Sequence, residues 1–116
     1  MQRVKIQAIE QPASVTLVAW NVFEVQLPHD AAPTWHLSGF RKETSRCKVS
    51  SAISALDPKT CRCITRSGNV YELEGSPSSN TDALATRGEW LQMNHVQHDR
   101  DVTPEFLTCM QHEAQS

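Results

Sequence analysis

The sequence predicts an α+β fold, in which an antiparallel sheet of about five to six strands carries two C-terminal helices packed on it. Three observations support this prediction. Apolar and polar residues alternate with a period of two over much of residues 1–75, as in strands with one buried face. Two turn motifs mark a meander at about residues 47–75, and two helix start signals follow it.

The size and composition predict one folded domain. A chain of 116 residues can bury a modest core without disulfides or a metal. Its 39% hydrophobic and 21% charged residues are ordinary values for a globular protein. We therefore expect residues 1–116 to form a single domain, mostly β over residues 1–75.

The N-terminal segment predicts neither a signal peptide nor a transmembrane helix. It has no unbroken apolar run of the required length, which is about 20 residues for a helix that crosses a bilayer. The four cysteines are too few and too irregularly spaced for the disulfide framework of a secreted protein. These observations favour a cytoplasmic protein with no membrane partner.

The first predicted strands lie before residue 41. Apolar and polar residues alternate in three runs, over residues 4–8, 15–19 and 23–27. Pro28 ends the third run, and residues 29–33 form a loop by composition. Another short strand is expected around Trp35.

Two turns define the predicted meander. Asp57 and Pro58 begin the first turn, because an aspartate bonds the following backbone and a proline presets φ near about −65°. Gly68 and Asn69 form the second turn, since both residue types tolerate a positive φ. The spacing of the two turns predicts three consecutive antiparallel strands.

The turns also predict a register. Leu56 is expected to pair with Cys61 across the first turn, and Arg66 with Val70 across the second. Because side chains alternate along a strand, this register sorts them onto two faces. The predicted core face holds Ala52, Ser54, Leu56, Cys61, Cys63, Thr65, Tyr71 and Leu73. The other face holds Ile53, Ile64 and Val70 among Arg62, Arg66, Glu72 and Glu74, with Arg62 opposite Glu74.

The first predicted helix spans about residues 81–94, with Ser79 or Asn80 as its N-cap. Gly88 inside this helix is expected to mark a close approach to the sheet. The helical stripe expected to cover the core face of the meander contains Ala83, Thr86, Trp90 and Met93.

The second predicted helix spans about residues 103–113. It begins with Thr103, Pro104 and Glu105, which read as an N-cap, a proline in the first helical position and an acid in the first turn. The side chains expected to face inward are Phe106, Cys109 and Met110.

Zinc binding is one hypothesis for the chemistry, since thiolates and imidazoles are the usual ligands of zinc. The candidate ligands are Cys61, Cys63, His95, His98, Cys109 and His112. Against this hypothesis, the chain has no C-x-x-C pair, and the first two thiols lie on the predicted core face. A small zinc-supported domain stays a further alternative, and we predict no metal and no cofactor.

No catalytic signature is present in the sequence. Serine, histidine and aspartate all occur, but no G-x-S-x-G elbow presents a nucleophile. The four glycines form neither a dinucleotide fingerprint nor a phosphate-binding loop. We therefore predict that the protein is not an enzyme.

The charge is unevenly distributed along the chain. Residues 41–66 hold seven basic and two acidic residues, whereas residues 67–116 hold two basic and eight acidic residues. Two interpretations stay open: the two segments pair with each other in the fold, or the basic segment binds a partner. The candidate binding residues, for a protein or a nucleic acid, are Arg41, Lys42, Arg46, Lys48, Arg62, Ile64 and Arg66.

Two observations weigh against a dedicated nucleic-acid-binding domain. The net charge is −2 and the pI is about 6.2, whereas such domains usually have a pI above about 9. Lysine and arginine on strands also serve to protect exposed edges against pairing with another chain.

Three segments resemble a pattern in small orphan proteins of phages, plasmids and integrative elements. The segments are Trp35-His36-Leu37-Ser38-Gly39, Val49-Ser50-Ser51-Ala52-Ile53 with Leu56-Asp57, and Thr65-Arg66-Ser67-Gly68-Asn69-Val70-Tyr71-Glu72-Leu73. The resemblance covers about residues 35–75 and implies an accessory role on a mobile element. Some proteins of this kind occupy a surface of a host defence complex, as anti-CRISPR proteins do. The resemblance assigns no functional residues.

These observations predict a small non-enzymatic binding protein. Its expected role is that of a mobile-element accessory or inhibitor, similar to anti-CRISPR proteins, which contacts a larger host protein or nucleoprotein complex. The alternative is a nucleic-acid-binding regulator that uses the basic 41–66 segment. A homodimer is also an alternative.

Overall fold

The computed structural model describes the backbone of residues 4–115 and the side chains of residues 4–111. The strands are β1 (Lys5–Ile6), β2 (Val15–Val25), β3 (Thr34–Arg41), β4 (Cys47–Asp57), β5 (Arg62–Thr65), β6 (Val70–Leu73) and β7 (Asp99–Asp101). The helices are α1 (Thr81–Met93) and α2 (Thr103–Gln115). The predicted α+β class and the two helices in the C-terminal half are confirmed.

The sheet differs from the prediction in strand number and direction. It has seven strands among the described residues, and it is mixed, because β1 runs parallel to β4 and β2 runs parallel to β6. The additional strand β7 consists of three exposed charged residues. It carries no apolar alternation, so its position against β2 could not be read from the sequence.

Five of the strands form a closed ring. β2 pairs with β3, β3 with β4, β4 with β5 and β5 with β6, all antiparallel. The parallel pairing of Val15–Leu17 with Tyr71–Leu73 then joins β6 back to β2. A closed sheet of this size has an interior that side chains fill completely.

The main hydrophobic core combines the interior of this ring with the start of α2. Its buried members are Val15, Leu17, Trp20, Val22, Trp35, Leu37, Ile53, Leu56, Cys63, Tyr71, Leu73, Val102 and Phe106. The ring of Phe106 lies 5.7 Å from that of Trp20 and 6.5 Å from that of Trp35, measured between centroids. The prediction that Phe106 faces inward is confirmed, and Cys109 and Met110 also pack against the core.

The meander is confirmed, but its register differs from the predicted one by two residues at both turns. Leu56 pairs with Cys63 rather than Cys61, and Val70 pairs with Ile64 rather than Arg66. The first turn is longer than expected because Cys61 adopts a left-handed φ of 55° and β5 starts only after it. A register offset of two residues leaves each side chain on the same face of the sheet. Most of the predicted core face is therefore buried.

A β-bulge explains why two residues of β4 do not lie on the predicted faces. The pairing of β4 with β5 shifts between Ile53 and Ala55, which places Ile53 in the core and leaves Ser54 exposed. The prediction placed Ser54 on the core face and Ile53 on the other face. A bulge adds one unpaired residue to one strand and so reverses the alternation beyond it.

Helix α1 packs on the outside of the ring, mainly against β4 and β3. The prediction that it covers Leu56, Cys63 and Tyr71 is wrong, because those side chains point into the interior. Trp90 instead meets His36 at 4.8 Å between ring centroids. The helix begins at the predicted N-cap Asn80, but Met93 at its C-terminal end is 79% exposed and does not join the buried stripe.

The close approach expected at Gly88 occurs at Gly39 instead. A Cβ atom on Gly39 would lie 3.0 Å from the Trp20 Cα, whereas one on Gly88 would meet no atom within 4 Å. Opposite Gly39, β2 carries a bulge with a left-handed φ of 48° at Ala19. The bulge brings the two backbones together, which only glycine permits.

Neither helix has the length and apolar character needed to cross a lipid bilayer in the part of the chain that the structure describes.

Candidate functional site

The turn between β3 and β4 is built from backbone hydrogen bonds. The Arg41 N–H donates to the Arg46 carbonyl at 2.8 Å, and the Ser45 N–H donates to the Arg41 carbonyl at 2.7 Å. Ser45 has a left-handed φ of 57°, and the Thr44 hydroxyl accepts from the Arg46 N–H at 3.3 Å. We call residues 41–48 the basic hairpin.

Strand β2 fixes the basic hairpin from one side. Leu17 pairs with Arg41, and the Lys42 N–H donates to the Thr16 carbonyl at 2.9 Å. Hydrogen bonds to β2 therefore fix the backbone as far as Lys42. Only residues 43–46 extend beyond the paired strands. This arrangement gives the hairpin side chains a rigid base.

An open cleft of about 610 Å³ lies beside the basic hairpin. Its lining residues are Arg41, Thr44, Arg46, Cys47 and Lys48. The three cations in this group form no ion pair with any side chain that the structure describes. Three positive charges without an ion-pair partner among the described side chains thus line one concave surface, and the turn beside it also carries the exposed carboxylate of Glu43.

Lys42 belongs to the same hairpin but is compensated. Its Nζ lies 2.9 Å from Glu74 Oε2, and this hydrogen bond raises the pKa of the Lys42 ammonium above its ordinary value. Both side chains are about half exposed. Glu74 therefore marks a border of the positive surface and neutralises the cation nearest to it.

The other three predicted binding residues lie elsewhere. Arg62 Nε is 3.2 Å from Glu72 Oε1, and the pairing predicted with Glu74 is replaced by this one. Arg66 NH2 is 3.2 Å from Asp30 Oδ2 on the loop between β2 and β3. Ile64 is half-buried on β5. The structure thus brings together four of the seven predicted residues.

Both interpretations of the uneven charge describe part of the molecule. Lys42 and Arg62 pair with acidic residues of the 67–116 segment, as internal compensation predicts. Arg41, Arg46 and Lys48 have no such partner among the described side chains. The positive charge that is left for a partner is therefore concentrated on the basic hairpin.

A second cavity, of about 330 Å³, lies next to the ion pair of Arg66 with Asp30. Its floor is formed by Trp35, Ile53 and neighbouring small apolar residues. The two charges at its rim already compensate each other, with both Arg66 NH groups directed at Asp30. Among the described residues that line this cavity, no unpaired charge is left to select a ligand.

A polar and aromatic cluster beneath α1 was missed by the sequence analysis. Arg87 is buried and donates to Asp99 on β7 and to Asn21 on β2. Its guanidinium lies 4.6 Å from the centroid of the Phe23 ring. Arg87 was not in the predicted stripe, but it falls four residues after Ala83 and three before Trp90, on the same side of the helix, and that position was the available signal.

His36 lies in the same cluster and is closed to solvent. Its ring is 1% exposed and stacks on Phe23 at 5.6 Å between centroids. Nδ1 lies 3.0 Å from the Ser50 carbonyl, which can only accept, so Nδ1 carries the proton and Nε2 accepts from the Thr34 hydroxyl at 2.8 Å. Burial lowers the pKa of His36 below its ordinary value. A histidine in this setting stabilises the fold and cannot reach a substrate.

The candidate zinc ligands do not form a cluster in the part of the chain whose side chains are described. Within residues 4–111, no three His, Cys, Asp or Glu side chains come close enough together to hold a metal ion. His112 lies outside the residues whose side chains are described. Burial raises the pKa of the Cys63 thiol far above its ordinary value, which disfavours the thiolate that zinc requires.

The functional interpretation of this chain rests on the geometry of the site. No family model, no curated protein and no solved structure matches the chain.

Proposed function

We propose that this chain is a non-enzymatic binding protein, which docks on an anionic surface of a larger partner through the basic hairpin. One observation carries the proposal: Arg41, Arg46 and Lys48 surround a single cleft without a carboxylate partner among the described side chains. Three like charges on a small surface repel one another, and a bound anion would relieve that repulsion.

The rigidity of the basic hairpin supports the same proposal. Binding costs free energy when loops and side chains must be ordered. Here the turn is already closed by the backbone hydrogen bonds of Arg41 with Arg46 and Ser45, and β2 holds Lys42 in place. The backbone therefore needs little further ordering when a partner arrives.

We also propose that the partner is a host protein or nucleoprotein complex and that the chain acts as a mobile-element accessory, similar to anti-CRISPR proteins. The support for this part is the resemblance over about residues 35–75, whose three matching segments flank the basic hairpin in the sequence but do not include it. The overall charge of −2 is compatible with it, because binding would use one local surface rather than the whole molecule.

Heparin chromatography tests whether the basic hairpin is the anion-binding surface. The double variant Arg46→Gln/Lys48→Gln should elute at clearly lower salt than the natural chain. The matched control Lys5→Gln/Lys59→Gln removes the same number of charges from cations that are likewise unpaired among the described side chains, near the other end of β4. It should elute close to the natural chain.

Equal elution of the two double variants would show that overall charge, and not the hairpin, determines anion binding. Far-UV circular dichroism and urea midpoints for each variant ensure that altered elution does not reflect unfolding. Failure of the natural chain to bind heparin at low salt would refute the proposal directly.

A further inference from the structure

Among the described residues, the basic hairpin carries no exposed large hydrophobic side chain, and Phe40, which directly precedes it, is half-buried. Among the side chains that the structure describes, the exposed large hydrophobic ones are Leu84 and Met93, and both lie on α1. Protein–protein interfaces depend on buried aromatic and apolar anchors at their centre. Interfaces with nucleic acids are more polar and much more positively charged. The composition of the hairpin surface fits the second class.

The polar groups of the cleft are those that contact phosphates. Two guanidinium groups, from Arg41 and Arg46, can each form paired hydrogen bonds to phosphate oxygens. Lys48 supplies a point charge, and Thr44 supplies a hydroxyl. Arginine, lysine and threonine side chains account for much of the protein contact with the sugar-phosphate backbone.

The shape of the hairpin argues against reading of bases. A two-stranded ribbon that reads sequence enters the major groove of duplex DNA. The basic hairpin cannot enter so deeply, because β2 lies against it as far as Arg41 and the Thr16 carbonyl holds the Lys42 N–H. Only the turn residues 43–46 extend further. Contact is therefore limited to the outer backbone of the nucleic acid.

From these observations we infer that the anionic partner of the basic hairpin is the phosphodiester backbone of a nucleic acid, which is bound without sequence specificity. This inference rests on the proposed function and names the partner class for the same site. Arg41, Arg46 and Lys48 each neutralise one phosphate. Lys42 stays with Glu74 and contributes little until that carboxylate is removed.

The inference predicts a definite salt dependence. Each phosphate neutralised on duplex DNA contributes about −0.9 to the slope of log K against log salt, and about −0.7 on a single strand. Three cations therefore predict a slope of about −2.7 for a duplex and about −2.1 for a single strand. Glu74→Gln frees Lys42, so it should tighten binding at low salt and steepen the duplex slope by about 0.9.

Fluorescence anisotropy with labelled oligonucleotides measures these slopes between about 50 and 200 mM salt. The probes are two duplexes of unrelated sequence, one single strand and a labelled polyglutamate. We expect the two duplexes to bind with affinities within about twofold of each other, since backbone contacts carry no sequence information. Arg46→Gln/Lys48→Gln should reduce the duplex slope by about 1.8, and Lys5→Gln/Lys59→Gln should leave it unchanged.

The outcomes separate this inference from the proposed function. Binding of polyglutamate without binding of any oligonucleotide would overturn the nucleic-acid inference and leave anion docking intact. Absence of binding to every probe would overturn both. A strong preference for one duplex, or equal slopes for the two double variants, would overturn the inference of backbone binding through the basic hairpin.

Discussion

Replacing Arg87 with methionine tests whether a buried polar cluster holds α1 on the sheet. The guanidinium donates to Asp99 Oδ2 from Nε at 2.8 Å and to Asn21 Oδ1 from NH1 at 3.2 Å, and it lies over the Phe23 ring. The Arg87 side chain is only 10% exposed. Methionine retains the apolar contacts of the stem and removes the hydrogen bonds to Asp99 and Asn21 together with the cation–π contact with Phe23.

The expected loss of stability can be built from these contacts. Asn21 is 2% exposed, so its Oδ1 would be left without a donor, at a cost of about 1–3 kcal/mol. Loss of the cation–π contact with Phe23 adds about 1–2 kcal/mol for a desolvated pair. Asp99 adds little, because a quarter of its side chain is exposed and water can replace the lost donor. We expect Arg87→Met to cost about 3 kcal/mol in total.

Urea unfolding monitored by tryptophan fluorescence measures this loss. With a urea dependence of about 1.5 kcal/mol per molar, the midpoint should fall by roughly 2 M. Arg100→Met is the matched control, because Arg100 forms ion pairs with Glu24 and Glu105 but its side chain is 57% exposed. Its midpoint should hardly change. Equal midpoint shifts for the two variants would refute the argument that burial gives the Arg87 contacts their strength.

Four further predictions concern stability. Burial lowers the pKa of His36 in the folded chain below its ordinary value of 6.5, so the unfolded chain binds the extra proton. The contribution of His36 to stability should be full above about pH 6.5 and should decline as the pH falls. In His36→Gln, the urea midpoint should fall less steeply with decreasing pH. The same pH dependence in both proteins would contradict this prediction. Gly39→Ala should cost about 1–3 kcal/mol, because its Cβ would press on the backbone of β2. Gly88→Ala should gain about 0.5–1 kcal/mol in α1, and thermal melts showing the reverse order would contradict both. Phe106→Ala should cost about 3–5 kcal/mol by urea unfolding, and a loss below about 1 kcal/mol would mean that α2 is not part of the core.

The sequence predicted the meander well because its information is local. The Lys59 N–H donates to the Asp57 carboxylate at 3.0 Å, and Gly68 has a positive φ of 91°, as the turn chemistry requires. Turn residues locate a hairpin but do not count its loop residues, which explains the two-residue offset. Cys63 and Tyr71 were nevertheless assigned to the correct face because the offset is even.

The ring and the bulges could not be predicted in the same way. The ring closes through pairing of β2 with β6, and no local pattern reports which distant strand a given strand will meet. The bulge at Ala19 depends on the glycine opposite it on β3. Arg87 reads as a surface residue because arginine is rarely buried without a partner, and its partner Asp99 lies on a strand with no apolar signal.

The sequence predicted the part of the candidate site that depends on local information. Arg41, Arg46 and Lys48 are close in sequence and share one hairpin, so a local charge count finds them together. Arg62 and Arg66 look equivalent in that count, but each meets a carboxylate from another part of the fold. Separating compensated from uncompensated cations requires the tertiary pairing.

The closure of the ring has a consequence for the order of folding. Ser14 bonds the Val70 carbonyl, 56 residues later in the chain, and the Val22 N–H donates to Thr103, 81 residues later. A ribosome that adds about 5–20 residues per second needs about 4–16 s to synthesise the second interval. Until residues 70–73 are made, the long apolar strand β2 lacks its partner β6, and until residues 102–106 are made it also lacks the cover of Val102 and Phe106. We therefore expect the nascent chain, and not the finished protein, to be the form most prone to aggregation and most dependent on chaperones.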